Sequence, residues 1–511
     1  MKVRAGMTVF SAVSFWLIAS FLFALLEAGR ICCLNTCADM SAALAVESVC
    51  AEYQPGLWEE YHLLGLDGAY GGPEFSADYV TAVLRERTQK NIKAEGAGGG
   101  VSELSLTAAG LVDYRIMTDG YGSVFLKCVS DYMKENLPVE AAQILYDRYN
   151  GETAVEEEGK LEGSVEHAQN AIDEARRQQD AGTPDGKGES AAAGAAGNQN
   201  ADPLSDSQGQ TAAAKEPAEN PLEVALAWKR NTLLGMVMQD LSALSTKSIR
   251  LEDSVGRRRL MEGTMREMPE ISWYDKILTL EYAGKYFSDC QTTESGHALA
   301  YELEYILCGK PSDRENLEGT VQRLLLLREA ANVVHILSDS TKMQETLAVA
   351  NLLAGFTGNP GIVQLVQIGV IAAWAYVESI LDIRALLEGN KIALIKRKDQ
   401  WTSSLGHLSD VSGKENAAKD CGDGFTYQDY LKGFLFAMDN QKLSFRMMDL
   451  MEKNLSLLPG YQNVRFDHLI CEMECRISFA AEPLFWRFVV VSAPAMKEHE
   501  FMTEKHFSYY R

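Results

Sequence analysis

The stretch Met7–Leu26 reads MTVFSAVSFWLIASFLFALL and contains twenty residues without a charged side chain. An α-helix rises about 1.5 Å per residue, so this stretch is long enough to cross the roughly 30 Å hydrocarbon layer of a bilayer. Thr8, Ser11, Ser14 and Ser20 can return their hydroxyl groups to the helix backbone, which eases their insertion. We therefore predict a membrane anchor at 7–26. The side chains predicted to contact lipid are Val9, Phe10, Phe15, Trp16, Leu17, Ile18, Phe21, Leu22, Phe23, Leu25 and Leu26.

The charges on either side of this stretch predict its orientation. Lys2 and Arg4 precede it, whereas Glu27 and Arg30 follow it and nearly cancel. The positive-inside rule then places residues 1–6 in the cytoplasm and nearly all of the chain outside the cell membrane, in a single-pass arrangement. A cleaved secretory signal is the main alternative, because small residues lie at the outer end of the stretch. The apolar run is longer than the about 7 to 15 residues of an ordinary signal core, which favours a retained anchor.

The helical pattern continues beyond the anchor. No proline occurs before Pro55, and alanine is abundant. We predict one helix of about 45 residues, roughly 70 Å long, whose outer half is buried against its own domain or a partner. The apolar positions that keep helical spacing in this outer half are Ile31, Leu34, Ala38, Ala45 and Val49.

The net charge limits the class of partner. The chain has 48 basic and 71 acidic residues, a formal net charge of −23. A field of this sign repels phosphate backbones, so no nucleic acid is expected as a partner. Between positions 151 and 220 there are 15 acidic and 5 basic residues. This segment is predicted to be an acidic low-complexity linker; Glu156–Asp180 suits a polar helix, whereas Ala181–Asn220 has few large apolar residues and is expected to be disordered.

The regions on either side of the linker have the patterns of folded domains. Residues 27–150 are predicted to hold the extracytoplasmic helix and a small α+β region. In it, Ser102–Met117 alternates as a strand does, and Thr118–Gly122 is a strong turn signal. Residues 221–511 are predicted to be a larger, mainly helical extracytoplasmic domain. The fold class is therefore α+β and mostly helical.

Several helices and one strand are predicted within the larger domain. Asn220 followed by proline marks a helix start, and Thr320–Ala354 suits two amphipathic helices. Thr426–Leu455 is predicted to be one long helix, and Val464–Phe479 a closing strand or hairpin.

A strongly apolar helix is predicted over Gly361–Leu387, capped by Asn359 and proline. Its composition raises the possibility of a second membrane crossing. Glu378 and Asp382 argue against it, because an ionised carboxylate near mid-bilayer costs about 2.5 kcal/mol or more. We therefore expect a helix buried inside the domain.

The sequence contains no signature of catalysis. Nucleophile elbows, paired metal-binding histidines and Cys-x-x-Cys motifs are absent. Neither an enzymatic activity nor a cofactor or metal is therefore predicted. The densest polar constellation consists of Trp374, Glu378, Asp382, Arg384 and Trp401. Two carboxylates one helical turn apart can serve as acid and base or hold a divalent ion, but such groups more often form a structural ion network, and that is the prediction.

Ten cysteines are few for this length and show no disulfide framework. Cys471 and Cys475 alternate with Met473 and Ile477, as one face of a strand does. We expect most of the cysteines to be buried as small apolar residues, with one or two disulfides or an incidental metal as the alternative.

Blocks of sequence along the chain resemble a family of membrane-anchored proteins of unknown function from Gram-positive bacteria, which accompany tight-adherence (Tad-type) pilus components. The blocks cover almost the whole chain apart from the linker. They are Gly6–Phe10, Leu26–Arg30, Ala51–Tyr53, Leu57–Tyr61, Gly65–Asp67, Glu304–Lys310, Trp374–Ser379 with Asp382, Arg384, Leu386 and Leu387, and Tyr430–Leu431 with Arg446, Asp449 and Leu450.

The resemblance implies a non-enzymatic accessory or minor pilin-like component of a Tad-type pilus or surface assembly. Its implied partners are the lipid bilayer and other envelope or pilus-assembly proteins. Pilins of this type carry glutamate five residues after the glycine at which they are cleaved, whereas Ser11 stands five residues after Gly6. A permanently anchored accessory role is therefore favoured over a filament subunit. A membrane-tethered cell-envelope enzyme and a ligand-sensing ectodomain are the alternatives.

Overall fold

The computed structural model is mostly helical with a small antiparallel sheet. This confirms the predicted fold class. Most of the predicted disordered linker, residues 182–218, lies outside the part of the chain that the structure describes. The described residues are 2–95, 104–135, 137–158, 163–181, 219–485 and 498–510.

The helices are numbered in chain order over the described residues. Short 3₁₀ turns lie between some of them. The helices are α1 (Lys2–Cys50), α2 (Pro55–Tyr61), α3 (Ala77–Glu95), α4 (Asp119–Met133), α5 (Val139–Glu158), α6 (Ser164–Ala181), α7 (Pro221–Lys229), α8 (Leu233–Val237), α9 (Trp273–Tyr286), α10 (Glu302–Cys308), α11 (Asp313–Ser338), α12 (Ser340–Ala354), α13 (Pro360–Leu387), α14 (Tyr427–Ala437) and α15 (Asn440–Ser456).

The chain forms two compact units, each assembled from segments that are distant in sequence. The consecutive division into 27–150, 151–220 and 221–511 stays a prediction. The first unit comprises Met1–Tyr146, Lys247–Asp313 and Leu435–Arg511, and the second comprises Asp147–Thr246 and Arg314–Phe434.

Helix α1 is continuous from the predicted anchor into the first unit, as predicted. Its anchor part presents apolar side chains outward; Phe10 and Phe15 are each 71% exposed. By length and composition this helix can cross a membrane. Its outer half is buried through Leu34, Ala38 and Val49, which lie in one apolar cluster with the sheet.

The sheet of the first unit is built around its third strand. The strands are β1 (Leu66–Asp67), β2 (Ser105–Ile116), β3 (Leu469–Ala481) and β4 (His499–Ser508).

Strand β3 pairs antiparallel with each of the other three strands. Its alternate residues Cys471, Met473, Cys475 and Ile477 are buried, which confirms the predicted alternation. Residues of α1 and of α3 cover this apolar side. The sheet therefore joins the beginning of the chain to its end.

The turn predicted at 118–122 is present at the start of α4, whose range includes the non-helical residues Gly120, Tyr121 and Gly122. Gly120, Tyr121 and Gly122 all have positive φ, the last at +83°. A Cβ atom on Gly122 would lie 2.1 Å from Ser444 Oγ and 2.7 Å from Ser444 Cβ. Both the backbone conformation and the close approach of α15 therefore require glycine here.

The second unit is built around α13, which packs against α6, α7 and α12. Helix α6 lies within the segment predicted as linker and overlaps the polar helix predicted over Glu156–Asp180. It also has a buried apolar face, formed by Val165, Ala168 and Ile172. Gly369 of α13 allows the close approach of α6, since a Cβ atom there would lie 2.3 Å from Ala168 Cβ.

The predicted caps are confirmed: Asn220 accepts a hydrogen bond from Leu222 N, and Asn359 accepts one from Gly361 N.

The single long helix predicted over Thr426–Leu455 is wrong. The structure has two helices, α14 and α15, separated at Met438 and Asp439. The Asp439 carboxylate accepts hydrogen bonds from Gln441 N and Lys442 N and so caps a new helix start. An aspartate inside a helical pattern is therefore the signal of the break.

We expect Gly122→Ala to lower the free energy of unfolding of the first unit by roughly 2 kcal/mol or more, because alanine is strained at positive φ and would collide with Ser444. The matched control is Gly110→Ala in β2, where an added Cβ atom meets nothing within 4 Å. That variant should change the unfolding free energy by no more than about 0.5 kcal/mol. Chemical denaturation of the full chain in detergent measures both, and equal effects would contradict the assignment.

Candidate functional site

Three of the four predicted network residues of α13 occupy one face of the helix. Trp374, Glu378 and Asp382 are spaced by four residues and are buried in the second unit. Helix α13 is also long and apolar enough to cross a membrane, with half of its apolar window buried inside the structure. The face with the carboxylates is the one that needs partners from other elements.

Two cations lie against the two carboxylates. Arg328 of α11 donates from Nε to Asp382 Oδ2 at 2.9 Å. Lys396, from the loop after α13, forms ion pairs with Glu378 and with Asp382 through Nζ. All four side chains are fully buried. The cluster of Arg328, Glu378, Asp382 and Lys396, called here the α13 charge network, therefore has two positive and two negative groups.

Neighbouring polar groups also form hydrogen bonds with Arg328 and Asp382. Asn332 Nδ2 donates to Asp382 Oδ2 and to Ser379 Oγ, each at 3.0 Å. Arg328 Nη1 donates to the carbonyl oxygens of Ala393 and Leu394 and to the Tyr430 hydroxyl at 2.8–3.0 Å. The guanidinium is thereby held by three different elements.

The Glu378 carboxylate also receives backbone hydrogen bonds. Thr402 N donates to Oε1 at 3.0 Å, and Ser403 N donates to Oε2 at 2.8 Å. Each oxygen of this side chain therefore has a donor.

Charge balance determines the ionisation of the α13 charge network. Burial alone raises the pKa of Asp382, but Lys396 and Arg328 outweigh it and hold that pKa below its usual range. Burial likewise lowers the pKa of Lys396, while Asp382 and Glu378 reverse the shift and raise it. The charged forms are thus stabilised by each other.

Trp374 and Trp401 lie next to the network and hold a third cation. The two indoles meet edge to face with centroids 5.4 Å apart, and Trp374 Nε1 donates to Ser403 Oγ at 2.9 Å. Lys342 Nζ lies 4.1 Å from the Trp374 ring centroid and 3.9 Å from that of Trp401. Burial lowers the pKa of Lys342 to about 8. The rings supply cation–π contacts in place of a carboxylate.

Arg384 lies apart from the α13 charge network. It is two residues beyond Asp382, which places it on another side of the helix. Its guanidinium donates to the carbonyl oxygens of Met236, Gly413 and Asn416 at 2.7–3.0 Å. The predicted constellation is therefore divided: Trp374, Glu378, Asp382 and Trp401 lie together, whereas Arg384 holds loops elsewhere in the same unit.

Sequence reasoning missed Arg328, Asn332 and Tyr430 as members of this site. Arg328 and Asn332 are spaced by four residues within the apolar pattern of α11, and that placement was the available signal. Polar side chains on a buried helix face need buried partners, but the sequence does not say which.

The geometry suits a structural network better than an acid–base pair. Both carboxylates are ion-paired, hydrogen-bonded and closed to solvent, so neither has a face for a substrate. The structural role stays a prediction. Within the described ranges, no three His, Cys, Asp or Glu side chains are placed to hold a metal ion.

We expect Glu378→Gln to lower the free energy of unfolding of the second unit by roughly 3 kcal/mol or more, because it leaves the buried charges unbalanced. The control is Glu388→Gln, an exposed position just after α13, with an expected change within about 0.5 kcal/mol. Thermal and chemical unfolding of the full chain compare the two. A stable Glu378→Gln protein that had lost a biological activity would instead indicate catalysis.

A second candidate site lies in the first unit, at a buried carboxyl group where two blocks of the family resemblance meet. Asp449 of α15 accepts hydrogen bonds from Val255 N at 2.5 Å and from the Tyr305 hydroxyl of α10 at 3.2 Å. Arg446 donates to the carbonyl oxygens of Ile306 and Leu307, both at 2.8 Å. The two blocks are therefore held together by direct side-chain contacts.

Asp449 lines a cavity of about 330 Å³, here called the Asp449 cavity. Burial raises the pKa of Asp449 to about 6, with a further contribution from the charge of Glu452. A carboxyl group that titrates near neutral pH beside a cavity can serve as a proton donor or acceptor. The other lining residues include Arg257, Tyr305, Lys442, Phe445 and Arg446.

The raised pKa of Asp449 predicts a pH dependence of stability. The pKa of Asp449 in the folded protein, about 6, exceeds the unfolded value of about 3.9. The stability that protonated Asp449 provides is therefore fully present below about pH 4 and is lost as pH rises through about 6. The resulting decrease in the free energy of unfolding is roughly 3 kcal/mol. Asp449→Asn should remove this part of the dependence and equal or exceed the wild type in stability at pH 7.5. Chemical denaturation of the full chain between pH 4 and 8 measures it.

The control is Asp253→Asn, at an exposed carboxylate whose ion pair with Arg465 is also exposed. It should leave the pH profile close to that of the wild type. A wild-type profile retained in Asp449→Asn would contradict the assignment.

Comparison with known proteins gives one match. The model of a family of unknown function (DUF5702) matches residues 211–481. The match includes the α13 charge network and the side chains that line the Asp449 cavity. No curated protein and no solved structure matches the chain.

Proposed function

The chain belongs to the DUF5702 family of unknown function, whose model covers more than half of its residues, and we propose that it is a membrane-anchored, non-enzymatic accessory or minor pilin-like component of a Tad-type pilus or surface assembly. The observation that carries the proposal is the continuity of α1. One helix is apolar and exposed in its first half and packed into a folded unit in its second. Such a helix attaches a domain rigidly to a bilayer.

The contacts of the outer half of α1 support this arrangement. Leu34, Ala38, Ala42, Ala45 and Val49 are buried in the cluster that includes β3. Full burial of a leucine or valine side chain contributes about 1.5–3 kcal/mol, and the alanines allow close approach of the backbone. An anchor that continues into a long helix and an exposed domain is also the arrangement that the pilin resemblance implies.

A second apolar stripe on α1 supports interaction with other envelope proteins. Cys33, Cys37, Met40 and Leu44 follow helical spacing on the side away from the core; Met40 is 60% and Leu44 52% exposed. These residues lie beyond the predicted bilayer segment. We propose that this stripe, defined by these four residues, contacts another membrane-anchored pilus-assembly protein.

In this arrangement residues 1–6 lie in the cytoplasm, residues 7–26 cross the bilayer, and the remaining parts of both compact units lie outside the membrane. The departure at Ser11 favours retention of the anchor over cleavage and polymerisation. Membrane attachment then keeps the protein at the base of an assembly rather than along a filament.

A photo-crosslinking amino acid at Leu44 tests the interaction in membranes of cells that make the complete pilus system. The expected result is a covalent adduct with a membrane-anchored pilin-like or pilus-assembly protein, identified by mass spectrometry. Position Asn35 is the control, because it is exposed on the opposite side of the same helix, and its adduct should be at least several-fold weaker. Equal labelling from both positions, or adducts with unrelated proteins only, would contradict the proposal.

The predicted topology has a separate test. In intact wall-stripped cells, added protease should digest the bulk of the chain while the protein stays in the membrane fraction. Protection from protease, or release into the medium without residues 1–26, would contradict anchoring.

A ligand-sensing or enzymatic ectodomain is the second candidate function, favoured by the Asp449 cavity. It requires that Asp449→Asn abolish an activity or a ligand response without loss of stability. Under the first proposal the same variant should leave the Leu44 adduct unchanged.

A further inference from the structure

Two buried thiols from different parts of the first unit lie side by side. Cys128 is in the middle of α4, and Cys471 is in β3. Their Sγ atoms are 3.8 Å apart. Cys128 is 8% and Cys471 0% exposed, and both are free thiols in this structure.

We propose that Cys128 and Cys471 form a disulfide bond when the chain folds in the presence of a disulfide oxidant. The oxidant is a small-molecule or protein disulfide. A thiolate from one cysteine attacks it and releases the first thiol; the second cysteine then attacks this mixed disulfide and releases the second thiol. One S–S bond forms and one breaks, two electrons pass to the oxidant, and the two protons of the cysteines end on the two released thiols.

The geometry requires little rearrangement. A disulfide has an S–S distance of about 2.0 Å, so the two sulfur atoms need to approach by roughly 1.8 Å. Side-chain rotation and small shifts of α4 against the sheet supply such a movement.

Burial determines when the bond forms. Burial, together with the neighbouring Cys128, raises the pKa of the Cys471 thiol well above its usual value. The thiolate is the reactive species, so the folded protein reacts slowly. Oxidation therefore takes place during folding, after α4 has met β3 and before water is excluded from the contact.

The bond would link segments 343 residues apart in sequence. A crosslink over so long a loop restricts the unfolded chain strongly. It would also hold α4 to the central strand of the sheet. The oxidised protein should consequently unfold at a higher denaturant concentration than the reduced protein.

Full-length protein in mild detergent is first unfolded in guanidinium with a reductant. It is then refolded by dilution into a mixture of glutathione and glutathione disulfide. Free thiols are then blocked with a maleimide, and peptides are mapped by mass spectrometry without reduction. The expected result is a Cys128–Cys471 linked peptide and a raised unfolding midpoint. Cys471→Ser should abolish the link and leave Cys128 alkylated.

Cys475→Ser is the matched control, since Cys475 is equally buried two positions along the same face of β3; the link should persist in this variant. If refolding in detergent is incomplete, native protein is incubated with glutathione disulfide in subdenaturing guanidinium and mapped in the same way. Recovery of Cys128 and Cys471 as alkylated thiols, or of either one linked to another cysteine, would overturn the proposal.

Discussion

The apolar surface of α1 has to be removed from water twice along one continuous helix. Up to Leu26 that surface faces outward and is suited to lipid, whereas from Leu34 onward the face that carries Leu34, Ala38 and Val49 is covered by the sheet. The helix changes surroundings at Glu27 and Arg30, which form a buried ion pair at 3.1 Å. A charged pair at this level separates the two apolar environments.

The same pair fastens the two ends of the β3–β4 connection to the helix. Phe485 N donates to Glu27 Oε2 at 2.8 Å, and Arg30 donates to the Glu482 carbonyl oxygen at 3.0 Å. His499, at the start of β4, lies 3.4 Å from Glu27. The folded unit is therefore attached to α1 both by apolar packing and by a polar contact next to the predicted bilayer segment.

Buried charge is handled differently in the two units. In the second unit, two cations oppose two carboxylates, and the pKa values of Asp382 and Lys396 move toward the charged forms. In the first unit, Arg258 pairs with both Glu452 and Asp467 at 2.6 Å, which leaves an excess negative charge close to Asp449. Burial raises the pKa of Asp449, and the charge of Glu452 adds to the rise. Titration near neutral pH therefore arises mainly from removal of the carboxyl group from water. The groups of the balanced cluster are held in their charged forms, whereas Asp449 beside its cavity can change protonation state near neutral pH.

Local patterns in the sequence predict most of the elements but few of their partners. The length of α1, the strand before the turn at 118–122 and the cap at Asn359 follow from composition and spacing within about a dozen residues. The partners of Asp382 do not, because Arg328 is 54 residues away and any of many basic residues satisfies the same requirement. The position of Arg384 outside the α13 charge network follows from helix geometry alone, yet its carbonyl partners depend on loops without periodic signals. The break at Asp439 was missed because apolar spacing continues across it.

The extent of the family match does not coincide with a folding unit. Residues 211–481 include β3, but β1, β2 and β4 all lie outside this range. A strand with both edges unpaired leaves its backbone N–H and C=O groups without partners. The matched region thus depends on the N-terminal and C-terminal segments to complete the sheet, and those segments also contain α1. Strand β3 therefore joins α1, a helix long and apolar enough to cross a membrane, to the part of the family region that lies in the first unit.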